Sequence, residues 1–378
     1  MNASRPQPPL ALYVHWPFCV SKCPYCDFNS HVRDVVDQDA WRKALLADLA
    51  HEAALLPGRR LGSIFFGGGT PSLMPPQTVA AVIDAATAAW APAGDLEVTL
   101  EANPSSVEAA RFADLAAAGV NRVSLGLQAL DDTALRFLGR AHGVDEGLAA
   151  LATAQRAFRR VSFDLIYARP GQSVAAWEAE LTRALSFGTE HLSLYQLTIE
   201  PGTRFATLAA KGELTIPDED AAADLWDVTQ ALTQAAGLPR YEVSNHARPG
   251  AESRHNLAYW RYTDYAGVGP GAHGRRGGLA TLRHKKPENW IAAVERNGSG
   301  LQEETPLSDK EVATERLVMG LRLTEGIDLS DIPGGMVDMA KVTSPNFDRY
   351  LFRSGNRLAV TDAGMPVLEA LLREIVRG

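Results

Sequence analysis

Cysteine is scarce in this chain. Its 378 residues include only Cys19, Cys23 and Cys26, which all lie within eight consecutive positions. Three thiols cannot form a closed set of disulfides, and thiols that share one short loop make poor cross-links. A chain of this length can bury a full core without such cross-links. We therefore expect the three cysteines to bind a ligand rather than to hold the fold together.

Long apolar runs and an excess of positive charge are also absent. No apolar run approaches the roughly 18–20 residues that a membrane-spanning helix requires. The formal net charge is -8, whereas general nucleic-acid binding requires a basic face. Met1–Leu10 is rich in proline and has no apolar segment of the signal-peptide type. We therefore expect a cytoplasmic protein of two or three domains that neither spans a membrane nor binds nucleic acid.

The spacing of the cysteines is compatible with two kinds of metal site. Structural zinc requires four ligands, and His15, Asp27 or His31 could supply the fourth. A four-iron cluster is held by thiolates on short spacings, and three protein thiolates would leave one iron open. An open iron can bind a small molecule, which favours a chemical role for such a cluster. A zinc site and an incidental grouping of the thiols remain as alternatives.

Strand-like apolar runs alternate with helical segments six times over residues 12–199. The predicted strands are Leu12–His15, Ser63–Phe66, Leu96–Glu101, Arg122–Gln128, Ser162–Ile166 and Leu192–Ile199. The predicted helices are Asp39–Leu56, Gln77–Trp90, Val107–Ala117 and Ala175–Phe187, with helical stretches between Asp131 and Phe158. A further strand-like segment is Tyr241–Asn245. This alternation predicts parallel strands covered by helices, as a partial (β/α)6 barrel or as an open doubly wound sheet.

The alternation ends after residue 199, and three parts of the chain are predicted from this change. They are a partial barrel over 1–205, a linking region over 206–304 and a mainly helical domain over 305–378. In the last part a short strand at Arg357–Val360 precedes a helix at Met365–Val376. The predicted fold class is therefore α/β, a partial TIM-like barrel with a smaller helical, winged-helix-like C-terminal domain.

Polar or glycine-rich segments end or follow the predicted strands. They are Cys19–Cys26, Gly67–Pro71, Glu101 with Asn103, Gln128, Asp164, and Gln196 with Thr198. In parallel α/β folds the carboxyl ends of the strands meet at one rim, where reactive groups are found. We therefore expect these side chains to converge. Structural alternatives are a helix cap for Glu101, a tight turn for the glycines, and core packing for Tyr13 and Tyr25.

Several motifs resemble a known family. The spacing CxxxCxxC resembles the signature of the radical S-adenosylmethionine (SAM) superfamily. A closer resemblance, to the oxygen-independent coproporphyrinogen oxidase branch, rests on the order and approximate spacing of YVHWPFCVSKCPYCDFNSH, FFGGGTPSL, LEANP, SLGLQ, FLGRAH and FDLIYARPGQ. The segments CPYCDF and HNLAYW, the latter an HNxxYW motif over 255–260, resemble the HemW sub-branch of haem chaperones.

The resemblance implies two cofactors and the residues that hold them. Cys19, Cys23 and Cys26 would hold a [4Fe-4S] cluster whose open iron is chelated by SAM, and such clusters donate the electron that cleaves SAM to a 5′-deoxyadenosyl radical. The residues at SAM-contacting positions are Tyr13, Tyr25, Gly68, Gly69, Thr70, Glu101, Gln128, Arg140 and Asp164. The last three match contacts to a second SAM in the decarboxylase.

The HNxxYW motif implies that haem is a cargo. His255 would ligate the haem iron, since neutral imidazole is a good iron ligand, with His246 and His273 as nearby alternatives. The implied function is to bind haem and deliver it to acceptor haemoproteins. The cluster would then stabilise the fold, promote a homodimer or drive a redox step.

Two enzymatic alternatives remain. One is oxidative decarboxylation of coproporphyrinogen III, although Phe28 stands where the decarboxylase has a further cysteine. That enzyme also has a long N-terminal extension, whereas twelve residues precede Tyr13 here. The other alternative is a different radical SAM reaction, such as methyl transfer. A smaller departure from the branch is Ala168-Arg169, where Gly-Leu is expected.

Overall fold

The protein folds around one large mixed sheet, seen in a computed structural model that describes residues 7–377. The strands are β1 Leu10–Trp16, β2 Phe18–Cys19, β3 His31–Val32, β4 Arg60–Gly68, β5 Ala91–Ala102, β6 Arg122–Gln128, β7 Arg160–Tyr167, β8 His191–Gln196, β9 Asn245–Ala247, β10 Tyr265–Val268, β11 His273–Arg276, β12 Leu279–Arg283, β13 Leu301–Pro306, β14 Ile327–Asp328, β15 Leu351–Ser354 and β16 Arg357–Val360. The helices are α1 Gln38–Leu55, α2 Pro76–Ala89, α3 Ser106–Ala109, α4 Phe112–Ala117, α5 Asp132–Phe137, α6 Val144–Ala157, α7 Val174–Leu185, α8 Arg204–Ala210, α9 Glu219–Ala235, α10 Arg254–Trp260, α11 Pro287–Asn297, α12 Asp309–Gly320, α13 Met339–Val342 and α14 Leu368–Ile375.

Seven neighbouring strands of the sheet run parallel, in the order β10-β1-β4-β5-β6-β7-β8. Six of them, β1 and β4 to β8, are the strands of the predicted alternation. They lie side by side in chain order, as right-handed crossover helices require. On one edge β9 pairs antiparallel with β8. On the other edge β11, β12 and β13 form an antiparallel extension.

Successive side chains of each strand point to opposite faces of the sheet. One face packs in the hydrophobic core, and the other lines the concave side of the sheet, which we call the lumen. On β1, Leu12 and Val14 are fully buried in the main core, whereas Tyr13 and His15 alternate with them and face the lumen. Burying one such apolar side chain stabilises the fold by about 1.5–3 kcal/mol. The helices therefore cover the apolar face, and the polar residues of the strands are left to line the lumen.

The linking region differs from the prediction at one strand. The strand predicted at Tyr241–Asn245 is wrong, because β9 begins only at Asn245. The backbone N–H of Tyr241 donates to the carbonyl of Asn245 at 3.1 Å, so the chain turns back on itself between them. Residues 206–304 also supply β9 to β12 and most of β13, which ends at Pro306. The region therefore completes the sheet, and we retain its limits as a proposal.

The helix predicted at Val107–Ala117 is two short helices, α3 and α4. The break lies at Arg111, whose guanidinium donates to the carbonyl of Met74 at 2.6 Å. This contact holds Arg111 against the turn that follows β4.

The C-terminal part has a hydrophobic core separate from that of the barrel, to which Trp226 of α9 also contributes. β14, β15 and β16 form a small antiparallel sheet, and its core residues include Leu317 of α12, Leu358 of β16, and Leu372 and Ile375 of α14. This arrangement of helices around a small sheet agrees with the predicted winged-helix-like architecture. Across residues 7–377, no helix combines the length and apolar character needed to cross a membrane.

Two buried acids on α1, Asp48 and Glu52, hold the antiparallel extension against the barrel. Arg283 of β12 donates to Asp48 at 2.7 Å and to Glu52 at 2.9 Å. Asp48 accepts five hydrogen bonds in all, from Gly269 N, Arg283 Nε, Trp290 Nε1, Ser299 Oγ and Gly300 N. Charges removed from water are tolerated only when they are paired and hydrogen-bonded in this way. This network fixes the loop before β11, which contacts the cysteine loop.

Replacing Asp48 with Ala should destabilise the protein strongly. The change removes one charge partner of the buried Arg283, which typically costs about 3–5 kcal/mol. Chemical denaturation followed by circular dichroism measures the free energy of unfolding. Asp39→Ala, on the exposed side of the same helix, is the matched control and should cost less than about 1 kcal/mol. Equal stability of the two variants would contradict the role assigned to Asp48.

Candidate cofactor site

The cysteine loop follows β1 at the carboxyl end of the parallel strands. It is closed by β2 and β3, which pair Phe18 with His31 and Cys19 with Val32. The three cysteines are unpaired thiols, each partly exposed. Burial raises the pKa of the Cys19 and Cys26 thiols, so hydrogen-bond donors or a metal are needed to favour their thiolates.

Two polar side chains donate to the sulfur atoms. The hydroxyl of Thr70 lies 3.5 Å from Sγ of Cys19, and Nη1 of Arg140 lies 3.4 Å from Sγ of Cys23. The contact from Thr70 favours the thiolate of Cys19 over its thiol. By its chemistry the donor set therefore suits a thiolate-bound cluster, because three partly exposed thiols share one loop and donors lie beside two of them.

The glycine-rich segment after β4 approaches this loop through its backbone. The N–H of Gly69 donates to the carbonyl of Trp16 at 2.7 Å. A Cβ on Gly69 would lie 2.7 Å from the carbonyl oxygen of Phe18 and 3.0 Å from Sγ of Cys19. At Gly68, φ is 111° and a Cβ would lie 2.6 Å from the His15 ring. Close backbone approach therefore requires glycine at both positions.

The loop is anchored by Asn29, a residue that the sequence analysis did not single out. Its side-chain amide donates to the carbonyls of Pro270 and Lys285, each at 2.9 Å. Its own carbonyl accepts from Nε2 of His15 at 2.9 Å. The only feature of the sequence that pointed to a role for Asn29 was its position, three residues after Cys26.

A chain of polar contacts joins the ends of several strands. Nη2 of Arg140 donates to the side-chain oxygen of Asn103 at 2.6 Å and to the carbonyl of Gly126 at 3.0 Å. The amide of Asn103 in turn donates to the hydroxyl of Thr70 at 3.1 Å. Gln128 has a left-handed backbone with φ 68°, and its buried Oε1 has no hydrogen-bond partner within 7–377. The predicted convergence at one rim is therefore observed for these residues.

Two buried carboxyl groups, those of Glu101 and Asp164, interact through their charges. Burial, aided by the charge of Asp164, raises the pKa of Glu101 to about 8. Burial also raises the pKa of Asp164 to about 6, against the hydrogen bonds of Ser193 and Ser124. Oε2 of Glu101 accepts from the N–H of Gly68 at 3.2 Å. A cationic group bound between these acids would replace their mutual repulsion with attraction.

Tyr25 and Tyr13 occupy different surroundings. The ring of Tyr25 packs in a small apolar cluster at 6.3 Å from the ring of Phe205. Tyr13 lies inside the lumen, where its hydroxyl contacts Nδ1 of His15 at 2.9 Å. Since Nε2 of His15 donates to a carbonyl and burial lowers the pKa of this histidine to about 4, the Tyr13 hydroxyl is the donor.

The floor of the lumen is formed by α10, which carries the HNxxYW motif. The ring of His255 stacks on Phe65 at 4.8 Å between centroids and lies 5.0 Å from the ring of Tyr259. Its Nδ1 is 3.3 Å from the hydroxyl of Ser63. Burial lowers the pKa of His255 to about 3, so the imidazole is neutral. Its buried Nε2 has no hydrogen-bond partner in the described chain.

The structure thus separates the predicted site residues into two groups. The cysteines, Gly68, Gly69, Thr70, Glu101, Gln128, Arg140 and Asp164 lie at the mouth of the lumen. His255 lies at the floor. On β4 the floor residue Ser63 and the mouth residue Gly68 are five positions apart, which corresponds to about 16 Å along a strand.

Comparison with known proteins identifies relatives over most of the chain. The sequence model described as "Radical SAM superfamily" matches residues 13–183. The haem chaperone HemW of Mycobacterium tuberculosis (strain CDC 1551 / Oshkosh) is 35% identical over 381 residues, which cover 99% of this chain and 96% of the relative. HemW of Escherichia coli (strain K12) is 44% identical over 270 residues, 71% of this chain and 70% of the relative.

Two further similarities concern a mitochondrial protein and a solved structure. Radical S-adenosyl methionine domain-containing protein 1, mitochondrial, of Bos taurus is 47% identical over 327 residues, 84% of this chain and 74% of the relative. The structure of HemN, the coproporphyrinogen III oxidase of Escherichia coli, has a TM-score of 0.80 at 22% identity and covers 98% of this chain and 91% of that chain. This similarity confirms the predicted fold class.

Replacing Asp164 with Asn should lower the pKa of Glu101 from about 8. Asp164 ionises first, because its own pKa is about 6, and its negative charge then opposes ionisation of Glu101. Burial remains in the variant, so the pKa should stay above the ordinary value for a glutamate. Carbon-13 NMR of labelled glutamate side chains follows this titration. Glu146→Gln, at a half-buried acid that accepts from the N–H of Ser106, is the control. An unchanged pKa of Glu101 in Asp164→Asn would contradict the coupling.

Proposed function

This chain belongs to the radical SAM superfamily, and we propose that it acts as a haem chaperone, which binds haem and delivers it to acceptor haemoproteins. Membership of the superfamily implies a [4Fe-4S] cluster and SAM. The similarity to HemW over nearly the whole chain supports the chaperone assignment. The neutral His255, whose Nε2 has no partner within the described chain, is the structural observation that carries it.

In this proposal Cys19, Cys23 and Cys26 hold the cluster as thiolates. Three thiolates leave one iron open, and the group supplies an electron and a binding position for SAM when bound. Thr70 and Arg140 stabilise the sulfur atoms as hydrogen-bond donors. The backbone at Gly69 shields one side of the loop. The partial exposure of the thiols leaves the rim open to the lumen.

The remaining residues at the mouth form the proposed SAM site, together with Tyr13 inside the lumen and Tyr25 in its apolar cluster. Those assigned are Tyr13, Tyr25, Gly68, Gly69, Thr70, Glu101, Gln128, Arg140 and Asp164. The two buried acids among them suit the amino group of SAM, because a cation relieves their mutual repulsion. The Oε1 of Gln128, which has no hydrogen-bond partner within residues 7–377, offers a further acceptor. Calorimetric titration with SAM measures the binding stoichiometry and so distinguishes one bound SAM molecule from two.

Haem is assigned to the lower lumen. Neutral imidazole ligates haem iron through a nitrogen lone pair, and the aromatic rings of Tyr13 and Phe65 lie beside His255. The exposed Phe28, at the position where the decarboxylase branch has a cysteine, supports a chaperone over decarboxylation. The proposal extends to a cytoplasmic location, to haemoprotein partners and to a homodimer as the working form.

Replacing Cys19, Cys23 and Cys26 with Ala together should abolish the broad visible absorption of an anaerobically reconstituted cluster. The thiolates supply the protein ligands, so iron and sulfide should fall to background in chemical analysis. Circular dichroism checks that the variant is folded. A folded triple variant with full iron and sulfide would contradict the cluster assignment.

Haem titration tests the proposed function. The reconstituted protein, kept anaerobic with SAM, should bind haem saturably, as followed by Soret absorbance. His255→Ala should weaken binding by at least about tenfold, the equivalent of one lost contact of ~1.4 kcal/mol. His273→Ala, at an exposed histidine of the same region, is the control and should bind like the wild type.

A parallel reaction separates the chaperone from the decarboxylase. The same preparation receives coproporphyrinogen III, SAM and a reductant, and products are separated by chromatography. We expect no protoporphyrinogen. Its formation, or the absence of saturable haem binding, would contradict the proposed function.

A further inference from the structure

The backbone of His255 is held by a buried acid on a neighbouring strand. Oε1 of Glu97, on β5, accepts from the N–H of Arg254 at 2.8 Å and from the N–H of His255 at 3.4 Å. Its other oxygen accepts from Nη1 of Arg122 at 3.0 Å. Since these two N–H groups open α10, Glu97 determines where the histidine enters the lumen.

A second anchor also holds the N-terminal end of α10. The hydroxyl of Tyr241 lies 2.9 Å from Nε2 of His191 and accepts from the side-chain amide of Asn256 at 3.4 Å. The side chain of Ser253 caps the helix by accepting from the N–H of Asn256 at 3.3 Å. The start of the helix is therefore fixed by two anchors, and the remaining freedom of His255 is the rotation of its ring.

That rotation is limited by Ser63. The serine is 2% exposed, and its hydroxyl lies 3.3 Å from Nδ1 of His255. Stacking against Phe65 fixes the plane of the ring. A neutral imidazole has one N–H and one lone pair, so an Nδ1–H donated to Ser63 leaves the lone pair on Nε2.

We propose that Ser63 is a positioning residue for haem binding: its hydroxyl accepts the Nδ1–H of His255 and so directs the lone pair of Nε2 into the lumen. This inference rests on the proposed function, because it assigns a ligand nitrogen for haem. Hydrogen bonds to the outer nitrogen of ligating histidines orient the ring and raise its basicity. The nitrogen left without a partner in the structure is the one that ligation requires.

The test compares Ser63→Ala and Ser63→Thr with the wild type. Loss of such an outer hydrogen bond should weaken haem binding by about tenfold in Soret titration. The Fe–histidine stretching band of the ferrous haem complex, measured by resonance Raman spectroscopy, should shift to lower frequency in Ser63→Ala, because the ring becomes less basic. Ser63→Thr keeps a hydroxyl and should restore the band.

The Raman band separates positioning from general destabilisation. Ser162→Ala, which alters another buried serine of the parallel sheet with no contact to His255, is the matched control. It should leave the band and the haem affinity unchanged. Circular dichroism confirms that all variants are folded.

The outcomes distinguish this inference from the function on which it rests. A band that disappears in His255→Ala but is unchanged in Ser63→Ala would overturn the role of Ser63 and leave haem binding in place. A wild-type complex without a histidine band would overturn both ligand assignments while saturable binding still supports a chaperone. Absence of saturable binding would overturn the proposed function itself.

Discussion

The floor of the lumen is built on an ion pair between Glu97 and Arg122, whose atoms lie 3.0 Å apart and are almost completely removed from water. Removal of two charges from water is costly, and their attraction offsets that cost only when their other hydrogen-bonding groups are satisfied. The second nitrogen of Arg122 donates to the carbonyl of Ala251, and the second oxygen of Glu97 accepts from the start of α10. The pair therefore determines where the helix of the histidine motif can lie.

The two ends of the lumen offer different chemistry. The mouth combines thiols with a guanidinium and with carboxyl groups whose pKa values are raised by burial, an environment that suits a cationic and polar ligand. The floor offers a neutral imidazole among aromatic rings, an environment that suits a planar, largely apolar ligand with a metal centre. Tyr13 joins the two ends, since its hydroxyl bonds to His15 and its ring lies 6.2 Å from that of His255.

The pattern of apolar and polar residues along the chain predicted those strands and helices that depend mainly on residues close to one another in sequence. The strands Arg122–Gln128 and Arg357–Val360 have the predicted limits, because their apolar residues alternate with the period of a sheet. The predicted strand at Tyr241–Asn245 failed because a local turn competes with its apolar pattern. Asn29 could not be recognised as an anchor, since its partner Pro270 is 241 positions away.

By itself the sequence determined the cysteine loop, the alternation of strands and helices, and the polar residues at the strand ends. These depend on spacing along the chain, which fixes which side chains share a loop or a face. Only the tertiary structure decided that His255 lies apart from the cysteines, neutral and with Nε2 unpartnered within residues 7–377. That outcome depends on burial and on hydrogen bonds from strands far apart in sequence, which no local pattern encodes.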